Sequence, residues 1–196
     1  MGETIMIYIF GIFVVIIVTS LFNWIDKDIS LFFIKARKKV RKKIEDRPCA
    51  ETSLLDDWEV DSDLKARAQY ILESLAETIG VSPCCFQADD RMVDILSLSS
   101  DEIKLLATPK VLKKLKLTSV DTFEPFADDF NWTVTKLLDL NKEGKMLKSR
   151  GIIIKNEDQW FDFYLKMTVQ ELVNFCIPLL REKGFQKWLH KKKKNS

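Results

Sequence analysis

Histidine is almost absent from this chain. His190 is the only one among 196 residues, and it lies in the C-terminal tail. The four cysteines are Cys49, Cys84, Cys85 and Cys176, and the adjacency of Cys84 and Cys85 suits neither a paired zinc knuckle nor a redox C-x-x-C. These shortages exclude a zinc site and a Cys/His or Ser/His catalytic arrangement. The six glycines are scattered, so no phosphate-cradling loop is present. Asp89, Asp90 and Asp94 cluster, but their spacing fits no calcium loop and they read as solvated carboxylates. No internal repeat is visible. The expectation is a chain that is not an enzyme and holds no metal.

What is present begins with Ile5 to Phe22, IMIYIFGIFVVIIVTSLF, an apolar run with no charge. At ~1.5 Å per residue such a run spans the ~30 Å hydrocarbon core of a bilayer. It lacks the preceding positive charge and the following small-residue site of a cleaved signal. The expected element is a single transmembrane helix over 1–24, with Trp24 as an interfacial anchor.

Lys35 to Lys43 follows, reading KARKKVRKK. The N-terminal tail carries no Lys or Arg, so the positive-inside rule puts the N-terminus outside and the remainder in the cytoplasm, as in a bacterial inner membrane. A cytoplasmic location implies free thiols. Ile29, Phe32, Phe33, Ala36 and Val40 recur at helical spacing between the charges. Over 25–46 this reads as an amphipathic segment on the anionic inner leaflet, with Lys35, Arg37, Lys38, Lys39, Arg41, Lys42 and Lys43 as its membrane-surface residues. A second reading leaves these charges to set topology alone. No aromatic platform or groove motif accompanies them, so nucleic acid is not the expected partner.

Residues 47–61 are polar and acidic around Pro48 and read as a linker, leaving 62–182 as a small helical domain. Ser62 to Ile79 is its clearest helix, with Leu64, Ala68, Ile71, Leu72, Leu75 and Ile79 in one stripe and Gly80 as its stop. A short helix starts at Ser99 or Ser100. Thr168 caps a last helix carrying Leu172, Val173, Phe175, Cys176, Ile177 and Leu180. Ile152 to Ile154 looks like a short strand pairing with Phe161 to Leu165. The tail, 183–196, is basic and reads as disordered, with Lys187 and Lys191 to Lys194 as a second cationic patch.

Gly80 to Glu102, GVSPCCFQADDRMVDILSLSSDE, resembles the loop after the first helix of acyl carrier proteins, G-V-x-P-x-x-I-x-x-D-x-x-L-x-x-D-L-G-L-D-S-L. Gly80, Val81, Pro83, Phe86, Asp89, Met92, Val93, Leu96 and Leu98 take matching positions. Met167 to Ile177, MTVQELVNFCI, is similar to that family's last helix. The resemblance implies a mainly α, acyl-carrier-like bundle with 116–165 as an inserted segment. It also implies phosphopantetheine on Ser100, which falls on the attachment serine. The family's D-S-L is here Ser99-Ser100-Asp101, and lysines replace its acidic second helix at Lys104, Lys110, Lys113, Lys114 and Lys116. These departures favour capping as the role of Ser99 and Ser100. They also favour a membrane-anchored, non-enzymatic interaction protein over a working carrier. Its partner is an unknown protein, and Trp132, Trp160 and Phe161 are the candidate contacts.

Overall fold

The computed structural model describes residues 27–49, 62–116 and 122–195. They are mainly helical. The chain divides into two compact units, Met1–Ala36 with Ser99–Phe123, and Arg37–Leu98 with Glu124–Ser196. Helix α1, 27–45, contributes to both.

In the first unit, Phe32, Phe33 and Phe123 form an aromatic cluster with ring centroids 5.3 to 5.8 Å apart. Strand β2, Thr122–Phe123, pairs with β1, Leu98–Ser99. Helix α4, Ser100–Leu106, starts from a capping box: Ser99 accepts from the Glu102 N–H, and the Glu102 carboxylate accepts from the Ser99 N–H. Helix α5, Pro109–Lys114, is capped by Thr108 and opens on a proline, which is preorganised for a first turn. Ile103 and Val111 are the buried side chains of these two helices.

The second unit is built on α2, Ser62–Ile79, which packs against α6, Ala127–Leu137, and α9, Val169–Cys176. The α2 stripe is core from Ala68 onward, with Ala68, Ile71, Leu75 and Ile79 at most 1 % exposed, while Leu64 at its start is exposed. The helix stops because Gly80 adopts φ 80° and Val81 N–H reaches back to Ala76 O at 3.0 Å. A 3-10 turn, Pro83–Cys85, leads to α3, Met92–Leu96. Helices α7, Leu140–Ser149, and α8, Glu157–Leu165, precede α9, whose Thr168 and Glu171 make a second capping box. A 3-10 turn, Ile177–Leu179, then leads to α10, Glu182–Asn195.

Four expectations are corrected. Among the described residues no helix is long and apolar enough to cross a membrane, which overturns the expected fold class of a transmembrane helix plus bundle. The run Ile5 to Phe22 itself lies outside the described residues, as does most of the expected linker. Ile152 to Ile154 is not strand, and Phe161 to Leu165 is helix. Asn156 caps α8 by accepting from Gln159 N–H, and Trp160 and Tyr164, one turn apart, both bond Glu143. The tail is not disordered, because α10 has an apolar face to bury: Phe185 is buried and Trp188 donates to Glu73. Finally, the thiols are not all free. Cys49 and Cys84 form a disulfide with Cα atoms 4.9 Å apart, while Cys85 and Cys176 are reduced and buried.

Candidate interaction groove

The basic segment is structural to a degree its sequence conceals. Much of the apolar stripe of α1 is internal: Phe32, Ala36, Val40 and Ile44 are at most 2 % exposed, Ile29 and Phe33 are half-buried, and Leu31 and Ile34 beside them are exposed. Within the second unit its cations are largely engaged. Arg37 donates to Pro125 O at 3.1 Å and pairs with Asp129. Arg41 Nε donates to Ile79 O at 2.5 Å, where a cation suits the C-terminal end of α2. Both guanidinium groups lie over the Phe126 ring, 5.1 and 5.7 Å from its centroid. Lys43 donates to Asp94 O, and Arg47 donates to both carboxylate oxygens of Asp90 at 2.6 Å. Lys35, Lys38, Lys39 and Lys42 are exposed.

The loop aspartates have mundane partners. Asp90 also accepts from Gln87 N–H at 2.8 Å, and Asp94 pairs with Arg91 at 2.7 Å. Among the described residues no group of His, Cys, Asp and Glu is arranged to hold a metal. Ser100 is the first residue of α4 and half-buried, with Ser99 supplying the cap.

A buried polar network joins α7 and α8. Glu143 is 3 % exposed and accepts from Trp160 Nε1 at 2.6 Å and Tyr164 Oη at 2.5 Å through a single oxygen. Burial pushes the Tyr164 hydroxyl up, and its bond to Glu143 adds to this. Burial pushes the Cys176 thiol up as well, with the Glu143 charge contributing. A carboxylate in this setting needs both donors, because burying an uncompensated acid is costly. Tyr164 and Cys176 are buried as well, and Trp160 is half-buried.

One accessible feature of this unit is a groove floored by α2. On one side, Tyr70, Ser74, Glu77 and Thr78 face Asp129, Trp132, Thr133 and Lys136 of α6, around a cavity of about 300 Å³. On the other, Tyr70, Glu73, Ser74 and Glu77 face Trp188, Lys191 and Lys192 of α10, around about 500 Å³. Tyr70, Ser74 and Glu77 belong to both, so the two hollows share a floor. Thr78 and Thr133 join hydroxyls at 2.6 Å and fix α2 to α6.

Glu73 fixes α10 to α2. It accepts from Trp188 Nε1 at 2.9 Å and from Lys192 Nζ at 2.8 Å. Burial works to raise this carboxyl, but the hydrogen bonds from Lys192, Trp188 and Gln69 outweigh it and hold the group below the ordinary carboxylate value. Tyr70 packs on Phe185 and Trp188, with ring centroids 5.9 and 5.6 Å away. Burial raises its hydroxyl. A Cβ at Gly184 would stand 2.9 Å from Tyr70 Oη, so the tip of the tyrosine would have to shift to admit a larger residue.

Of the three expected contact residues only Trp132 is open. It is 64 % exposed, with Lys136 Nζ 4.5 Å from its ring centroid, whereas Trp160 and Phe161 are half-buried. The groove residues of α2 and α10 were not legible as a site, because nothing in the sequence says that the basic tail folds back on α2. No protein-family model, curated protein or solved structure matches the chain.

Proposed function

We propose that this chain is a non-enzymatic interaction protein that receives a segment of a protein partner in the groove over α2. The observation that carries this reading is Trp132. A tryptophan in water forgoes roughly 2 kcal/mol or more of burial, and exposed tryptophans beside a concave surface are typical anchors of protein interfaces. Hydroxyls from Tyr70 and Ser74 and the carboxylate of Glu77 supply orienting polar groups on the floor. The test is a photo-crosslinking residue at Lys136 in the native host. One dominant adduct is expected, lost with Trp132→Ala and with a groove-filling Ser74→Trp. Adducts indifferent to both changes would sink the reading.

A second reading, the membrane-tethered carrier with phosphopantetheine on Ser100, draws on one observation. The two stretches that resemble acyl carrier proteins lie side by side. Met92 N–H donates to Met167 O at 2.9 Å, Val169 N–H to Asp90 O at 2.7 Å, and Gln170 N–H to Ala88 O at 3.0 Å. Intact mass from the native host decides it. A gain of one phosphopantetheine that vanishes in Ser100→Ala supports the carrier, and an unmodified chain removes it.

A further inference from the structure

We infer that the outward face of α10 is a docking surface for an anionic lipid bilayer, held by electrostatics without insertion. Lys183, Lys187, His190, Lys191 and Lys194 recur at three- and four-residue intervals, so they share one side of the helix. All five are exposed, and with Gln186 they line a shallow depression of about 590 Å³. The row is roughly 16 Å long at the helical rise. The opposite side of α10 is committed inward. Phe185 is buried, Trp188 donates to Glu73, and Lys192 also binds Glu73. The one carboxylate of α10, Glu182, is engaged by Arg67 and Gln186, which leaves the row without a competing acid of its own helix.

The partner's chemistry follows from what the row contains and lacks. Its cations are lysines, beside one histidine, with no arginine. Lysine is a hydrated point charge, suited to a diffuse anionic surface, whereas bidentate phosphate and base recognition favours arginine. No Trp, Tyr or Phe stands on the row for a base to stack on, which disfavours single-stranded nucleic acid. No large exposed apolar residue belongs to α10, so there is nothing to insert into the acyl region. The whole chain is only +2, so attraction comes from the clustering of charge and not from its total. Each lysine near an anionic leaflet adds about 1 kcal/mol, and salt weakens the sum. The inference does not rest on the groove reading, although Lys191 also borders the hollow beside α2.

The experiment is lysine acetylation footprinting of the full chain on vesicles of phosphatidylcholine alone or with roughly one-third phosphatidylglycerol. Labelling of Lys183, Lys187, Lys191 and Lys194 is expected to fall about fivefold or more on the anionic vesicles only, and to recover when salt rises from about 0.1 M to about 0.5 M. Lys145 and Lys148 serve as internal references. Replacing the four row lysines by Gln is expected to weaken anionic-vesicle binding at least about tenfold. Replacing Lys104, Lys145, Lys148 and Lys155 instead leaves it unchanged. Unchanged helical circular dichroism confirms that each variant is folded. Vesicle attachment without protection of the row places the contact elsewhere on the chain and overturns the inference. So does an equal loss in both quadruple variants, or stronger protection by single-stranded RNA than by anionic vesicles.

Discussion

Two basic helices of the second unit use their charge in opposite ways. From Arg37 to Arg47 the arginines are fasteners: they reach Pro125 O, Asp129, Ile79 O and Asp90, and they cover the Phe126 ring. Along α10 the lysines of one face point to solvent, and only Lys192 is tied down, to Glu73. The contrast teaches that a basic run does not declare its purpose. Guanidinium forks close onto carbonyls and carboxylates, while ammonium groups on flexible stems stay hydrated. The segment whose composition looked made for a membrane surface has much of its apolar face in the core. The tail that looked unstructured presents the cleaner cationic row.

The contrast is open to attack at several points, beginning with the largest effect. The fastened end of α1 is closed covalently by Cys49–Cys84, which spans 35 residues of sequence. Cross-linking a loop of that size constrains the unfolded chain by about 3–4 kcal/mol, so Cys49→Ser should lower the urea midpoint accordingly. Added dithiothreitol should destabilise the parent to match and leave the variant untouched. A variant as stable as the parent would mean the bond contributes nothing. Disulfides persist in oxidising compartments, so maleimide labelling of chain taken directly from cells also bears on the expected cytoplasmic location.

Next is Arg47, which meets Asp90 with side chains 24 % and 12 % exposed. Arg47→Gln should cost about 1–3 kcal/mol, because Asp90 keeps its Gln87 N–H bond but loses a charged partner in a partly dry place. Chemical denaturation of the single variant reads this directly. No measurable loss would reclassify the arginines of α1 as decoration.

The docking of α10 should respond to acid. The folded Glu73 carboxyl lies below the ordinary carboxylate value, so the stabilisation is complete above the unfolded value and is lost as pH falls through the lower folded one. Trp188 emission should therefore shift as pH drops below about 4.5, and Glu73→Gln should flatten that response. The smallest effect belongs to the lysine row. Lys183→Gln and Lys187→Gln should each move stability by no more than about 0.5 kcal/mol, because exposed side chains without close partners contribute little to folding. A larger loss would show that this face, too, is a fastener.

Much of the fold was legible where the signal was local. The α2 stripe, its arrest at Gly80 and the capping of α9 by Thr168 all follow from residues within a turn or two of each other. Failures came where a distant partner decided. Phe161 to Leu165 alternates well enough for a strand, but Asn156 and the reach of Trp160 and Tyr164 to Glu143 make it helix. Trp132 could be named a candidate contact beforehand, but its exposure could not. Neither could the meeting of the α2 floor with α10, since Tyr70 and Glu73 lie far from Trp188 in sequence.

By itself the sequence determined that the described residues are mainly helical, and that α2 stops at Gly80 and α9 starts after Thr168. Those properties rest on residue type and short spacing, which packing does not alter. Tertiary structure alone decided which cations fasten and which face water, which cysteines pair, and that the basic tail folds onto α2 beside Trp132. Each of these depends on residues remote in sequence meeting within a few ångströms, and no local pattern encodes such a meeting.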